Sequence, residues 1–276
     1  MKKIIISLSS IIFILGCSLN KPVVNLNNIE EKIDHIQLDE LDLNEIVHSI
    51  EKEDFYDKME YKKDEELKLI GLDVNEINDY IYRKSTTDSD KYGFYIILKV
   101  NDTYKEKAKE IMNNYFTNLI NEELDSDKLY LLLNKIEFEY NDYLIYIVGN
   151  KNNTILDKII ENKKKVFTNL IKINEVKLKD LNIVNGENLE KYLMKISSNI
   201  NNSDLYFIVK PKKGKKLEVE ESINKYFNKL EEKFKNNETE LNKIKNKTIA
   251  NTNDYLIYII SSDNEKVLKT IKNELK

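Results

Sequence analysis

One cysteine, Cys17, serves the whole 276-residue chain, so no disulfide can form within it. Tryptophan is absent, prolines number two, and the six glycines stand singly. No G-x-G-x-x-G or G-K-[ST] run is therefore available to cradle a phosphate. Scarce glycine and proline, with 41% hydrophobic residues, exclude a collagen-like or low-complexity chain and leave enough apolar surface to fold. His35 and His48 are the only histidines, and neither has a second histidine or a cysteine at metal-ligand spacing. A histidine-based catalytic triad would have to use one of these two. Arg83 is the single arginine among 44 basic residues, and the net charge is −4, a poor electrostatic match for nucleic acid. Nothing in these patterns calls for a metal or a cofactor.

What is present begins with a processing signal. Lys2 and Lys3 precede an apolar stretch from Ile4 to Leu15, which is shorter than the roughly 20 residues a permanent spanning helix needs. It ends Ile14-Leu15-Gly16-Cys17, which resembles the lipobox of bacterial lipoproteins. That resemblance implies a signal peptide over 1–16, a diacylglycerol on Cys17, and a protein held on the extracytoplasmic side of the cell membrane. Two acyl chains hold far more firmly than one. An ordinary signal peptide with an incidental cysteine, or an uncleaved anchor, is the alternative. Without residues 1–16, 42 basic side chains face 48 acidic ones, a net charge of −6. Residues 17–40 are polar and lack a sustained period; they read as a flexible tether with a span of about 25 Å.

Beyond the tether the chain repeats itself. The heptapeptide NDYLIYI occurs at Asn141 to Ile147 and again at Asn253 to Ile259. The apolar stripe Ala108, Met112, Tyr115, Phe116, Leu119 recurs as Val219, Ile223, Tyr226, Phe227, Leu230, on one face of a helix each time. FYIILKV at Phe94 to Val100 is answered by LYFIVKP at Leu205 to Pro211, and Ile155, Leu156, Ile159 by Val267, Leu268, Ile271. All offsets are 111 or 112, too long for a solenoid repeat, so the spacing predicts two tandem homologous domains, 41–161 and 166–276. Each reads strand, strand, helix, strand, strand, helix. Hairpin turns at Asn141-Asp142 and its counterpart imply antiparallel pairing. The expected class is α+β, two two-layer units with helices on one face of each sheet. Asp42 with Glu45 forms a capping box, and Leu41 with Ile46 a hydrophobic staple, at the start of a first helix. Ile155, Ile159, Ile160, Phe167 and Leu170 could make one helix crossing the domain boundary.

LDLNEIVHSIEKEDFYDKM from Leu41, DEELKLIGLDVNEINDYIYRKS from Asp64 and YGFYIILKVNDTYKEKAKEIMNNYF from Tyr92 resemble an uncharacterised family of lipoproteins from low-GC Gram-positive bacteria, a domain of unknown function. The resemblance covers about Leu41 to Ile160, with a diverged second copy from Val166 that lacks GLD; tyrosine, common in the family before the glycine of that segment, is Ile70 here. It implies a lipoprotein and a fold, and it assigns no catalytic residue.

Candidate sites are few. Lys210, Lys212, Lys213, Lys215 and Lys216, around Pro211 and Gly214, could touch anionic headgroups or an acidic wall polymer. The alternative is a solvated loop offset by Glu218, Glu220 and Glu221. Tyr143 and Tyr255 fall on the opposite strand face from Tyr146 and Tyr258, which predicts one pair more exposed than the other. Carboxylates are plentiful but no spacing singles out an acid–base pair. The sequence thus points to a non-enzymatic, membrane-anchored envelope lipoprotein that binds an envelope protein, a wall polymer or a small ligand. An extracytoplasmic solute-binding protein with ligand between its domains is the alternative, and a carboxylate-dependent hydrolase a third.

Overall fold

The computed structural model describes residues 24–53, 59–86 and 93–275. The described chain opens with α1 (Leu26–Asp34), β1 (Gln37–Leu41) and α2 (Leu43–Glu51). A first sheet unit follows: β2 (Met59–Tyr61), α3 (Asp64–Ile70), β3 (Ile77–Ser85), β4 (Phe94–Val100), α4 (Lys105–Glu122), α5 (Ser126–Leu133), β5 (Ile136–Tyr140), β6 (Tyr143–Val148) and α6 (Asn152–Glu161). After β7 (Lys163–Lys165) comes a second: β8 (Leu170–Lys172), α7 (Glu175–Leu181), β9 (Leu189–Ser197), β10 (Leu205–Pro211), α8 (Lys216–Lys233), α9 (Glu238–Lys245), β11 (Thr248–Thr252), β12 (Tyr255–Ile260) and α10 (Asn264–Glu274).

The two sheets have the same plan. One is ordered β2-β3-β4-β6-β5 and the other β8-β9-β10-β12-β11, with every pairing antiparallel. The class is α+β, as the hairpin spacing implies. Asn141 turns the β5–β6 hairpin at φ 52°, and Asn253 with Asp254 turns β11–β12 at φ 50° and 69°. Asparagine and aspartate tolerate this left-handed backbone better than other side-chain-bearing residues, which is why the repeated heptapeptide begins with them. Asp42 caps α2 by accepting from the amide of Glu45, with Leu41 and Ile46 buried beside it.

The expected two layers are in fact three. In the first sheet, α3, α4 and α5 bring Leu67, Ala108, Met112, Phe116 and Leu132 onto Phe94, Ile96, Leu98, Leu144 and Tyr146. On its other face α2 and α6 bring Ile46, Ile50, Ile155 and Ile159 onto Tyr95, Ile97, Tyr143, Ile145 and Ile147. The second sheet repeats this, with α7, α8 and α9 on one side and α1 and α10 on the other. The physical reason is that β6 and β12 are apolar at both parities, so each needs cover on both faces. Tyr143, Tyr146, Tyr255 and Tyr258 do alternate between faces, yet all four are buried, and the expected difference in exposure does not exist.

Two boundary expectations are also corrected. Residues 24–40, assigned to a tether, are folded: Ile29 and Ile33 of α1 are buried against Leu193, Tyr206, Ile208, Ile257 and Val267 of the second unit. The helix crossing 153–172 does not form, because α6 stops at Glu161 and β7 pairs antiparallel with β1. This two-stranded ribbon carries both chain crossings between the units. The second unit thus takes its covering helix from the N-terminal side of the first.

Inside the second unit, Glu240 is a buried staple. Its Oε2 accepts from the amide and the hydroxyl of Ser203, each at 2.7 Å, and Lys243 Nζ lies 3.0 Å from Oε1. Burial pushes the Glu240 carboxyl up, but the bonds from Ser203 and the charge of Lys243 outweigh it and hold it below the ordinary range.

Two predictions follow from these packings. Ile29→Ala is expected to cost about 2–5 kcal/mol in denaturant unfolding, whereas a tether residue would cost nothing. Because Glu240 has a depressed folded pKa, its stabilisation is present above the unfolded value near 4.3 and is lost as pH falls through the folded value. Glu240→Gln should cost about 1–3 kcal/mol at neutral pH, and the gap from the parent should close on acidification.

Candidate functional site

Two clefts gather polar side chains. The first, of about 550 Å³, lies beside the β1–β7 ribbon between the units. Asp34 and Lys195 line it from the second unit, Asp42, Glu45 and Glu161 from the first, with Lys163 and Lys165 along the ribbon. Lys195 is the organising cation. It is 7% exposed, stands 2.7 Å from Asp34 and 3.4 Å from Glu30 of α1, and Glu30 in turn pairs with Lys172 at 2.6 Å. Arg83, at the equivalent strand position in the first unit, pairs likewise with Glu51 of α2. Partial burial pushes Glu30 up, yet Lys172 and Lys195 hold its carboxyl below the usual range, so it is an ionised partner and a poor proton donor.

Beneath this network Tyr206 is fully buried, packed on Phe167 with ring centroids 5.5 Å apart. Its hydroxyl has no hydrogen-bond partner among the described residues. Burial first, then the nearby charges of Asp34 and Glu30, push its pKa well up.

The second cleft, of about 590 Å³, lies at the end of the second sheet between the lysine loop and the β11–β12 turn. Lys210, Lys212, Lys213 and Lys216 line it, with Glu190, Asn251 to Leu256 and Gly214. Gly214 at φ 79° turns the chain from β10 into α8. Three of the five lysines are paired: Lys210 with Glu190 at 2.7 Å, Lys215 with Glu218 at 2.6 Å, and Lys216 with Glu220 at 3.9 Å. Lys212 and Lys213 are exposed and form no ion pair among the described residues. The solvated-loop reading therefore describes part of the cluster, and two cations remain available.

The equivalent end of the first unit is closed. There Asn141 donates to the carbonyl of Asp39 at 2.7 Å, and Glu40 sits 3.2 Å from both Lys99 and Lys164. Partial burial raises Glu40, but Lys164 and Lys99 hold it below the ordinary carboxylate range. In the second unit Asn253 donates to the carbonyl of Leu275, and no counterpart of Glu40 reaches Lys210 among the described residues.

Cys17 lies outside the described residues. His35 and His48 are both exposed, and the lysine cluster is far along the chain from either. Among the described residues no group of three or more histidines, cysteines, aspartates or glutamates is placed to hold a metal, and no helix is long and apolar enough to cross a membrane. Sequence reasoning missed Lys195 and Glu40. A signal for Lys195 existed: it stands 112 residues after the single arginine, in a strand whose neighbours are apolar.

Tyr206→Phe removes a buried hydroxyl with no hydrogen-bond partner among the described residues, so it should leave stability unchanged or raise it by up to about 1 kcal/mol in denaturant unfolding.

No curated protein and no solved structure matches the chain. Residues 163–261, which run from β7 through the end of β12, match the family model described as a domain of unknown function (DUF4358).

Proposed function

We propose that this chain is a lipid-anchored protein on the extracytoplasmic face of a bacterial cell membrane, acting by binding and not by catalysis. The anchor rests on the order of charge, apolar stretch, glycine and cysteine ending at Cys17. The observation that carries the binding role is the cleft between the units, whose volume of about 550 Å³ suits a small ligand and whose lining offers both signs of charge. Glu30 of α1 and Glu40 of β1 are held ionised by lysines. A general acid needs the opposite, a carboxyl raised toward the working pH, which is why a hydrolase is not proposed.

A second reading, a solute receptor that closes on its ligand, is favoured by the ribbon. β1 and β7 carry both crossings between the units and flank the cleft, the place a hinge would occupy. Antiparallel sheets differ from the parallel-sheet lobes usual in such receptors.

Two measurements test these readings. Cys17→Ala should move the protein from the membrane to the soluble fraction and abolish the mass added by diacylglycerol; continued membrane partition after processing would overturn the anchor. A thermal-shift screen of amino acids, short peptides and wall fragments should find one class that stabilises the protein. At about 100 times its Kd such a ligand adds about 2.7 kcal/mol, and Lys165→Glu should reduce the effect.

A further inference from the structure

We propose that the lysine loop of the second unit is a membrane-facing surface that rests on anionic lipid headgroups and sets the orientation of the anchored protein. This rests on the acylation of Cys17 proposed above, and it adds which end of the molecule meets the bilayer.

The argument begins with the direction of α1. Its last turn is fixed over Lys195 by Asp34 at 2.7 Å. Lys195 pairs in register with Tyr206, near the start of β10, whereas the lysine loop follows Pro211 at the other end of that strand. The first turn of α1 therefore points toward the loop. The first unit confirms the sense: Asp39 and Glu40, just before α2, touch Asn141 and Lys99, the counterparts of Asn253 and Lys210. Val24 packs into the same apolar cluster as Tyr255 and Leu275, and Leu275 accepts from Asn253 beside the loop.

Chain length then limits the geometry. Only residues 18–23 separate Cys17 from Val24. Whatever its conformation, a run of that length reaches at most roughly 25 Å. β10 alone, at about 3.3 Å per residue, is about 23 Å long, so the far end of the unit lies at the very limit of that reach. The end nearest the anchor is the basic one.

The loop has the chemistry of a headgroup contact. Lys212 and Lys213 project without ion-pair partners among the described residues, and Leu217 beside them is 73% exposed. At the equivalent positions the first unit carries the neutral Asn101 and the acidic Asp102 and Glu106, the last two of which anionic lipid would repel. The Lys212–Lys213 pair is thus confined to the unit that the anchor holds down. Each lysine near an anionic surface contributes about a five-fold preference, so the two free ones give about twenty-five-fold. That is too weak to recruit a free protein, but enough to orient one whose acyl chains already supply the attachment.

The test uses the full acylated chain in vesicles containing a headgroup-labelled acceptor lipid. Leu217→Cys and, separately, Ile200→Cys at the opposite end carry a donor dye; Ile200 is 74% exposed, and Cys17 is blocked by its lipid. With about one quarter phosphatidylglycerol in phosphatidylcholine, energy transfer from position 217 should exceed that from position 200. Lys212→Glu with Lys213→Glu, or raised salt, should reduce the difference without releasing the protein. Equal transfer from both positions, or a difference unaffected by lipid charge, would overturn this inference while leaving the anchor intact. Capture of soluble poly(glycerol phosphate) by a loop indifferent to lipid charge would assign it to a polymer and overturn it too. Protein that carries no diacylglycerol and does not float with vesicles would remove the anchor and this inference together.

Discussion

Central strands that are apolar on both faces must be covered on both faces, and the rest of the molecule follows from how that demand is met. In the first unit α2 and α6 close the second face; in the second unit α10 is joined by α1. Burying Ile29 and Ile33 contributes about 1.5–3 kcal/mol each. A nine-residue helix is not stable alone in water, so α1 exists because the sheet is there. The dependence is mutual, since without α1 the face bearing Tyr206, Ile208 and Ile257 would meet solvent. A cut between the units would leave the second with an open face, although the two sheets look separable in sequence order.

The helical stripes were legible because Ala108 to Leu119 and Val219 to Leu230 hold an apolar period over several turns, and the hairpins because Asn-Asp stands between apolar runs. The α+β class followed from these local signals. The third layer did not, because period-two alternation between Tyr143 and Tyr146 suggests one wet face, while the intervening Leu144 and Ile145 are as apolar as their neighbours. Reading the segment as a continuous apolar run would have demanded a second cover. α1 was hidden for another reason. LNNIEEKID offers only Leu26, Ile29 and Ile33 on one face, barely two turns of pattern, and its fixing partners, Lys172 and Lys195, lie more than a hundred residues away. β7 is three lysines with no strand propensity, made a strand by pairing with β1 and by the contact of Lys164 with Glu40.

The candidate sites divide the same way. The lysine cluster is contiguous and could be seen directly, as could its absence from the first unit. The inter-unit cleft could not, because its walls come from α1, α2, α6 and β9, and their meeting depends on the route of α1. The family match over 163–261 falls on the unit that the sequence resemblance treated as the more diverged copy. The shared plan of the sheets explains how either unit can carry the pattern: both keep the same strand order and the same aromatic layer beneath the long helix.

Two units on one plan end differently at one pole, and the difference is electrostatic. In the first, Glu40 lies between Lys99 and Lys164, so the pole is neutralised from within and sealed by backbone. In the second, Glu190 meets Lys210 alone, and the following loop adds charge that only Glu218 and Glu220 partly offset. A neutral sealed pole has no unmet electrostatic demand. An open basic one attracts anions wherever the molecule places it, and α1 places it at the start of the described residues. Under the proposed anchoring, the second unit is then membrane-proximal and the first is displayed beyond it. The cleft between them stands off the bilayer, open to whatever the envelope supplies.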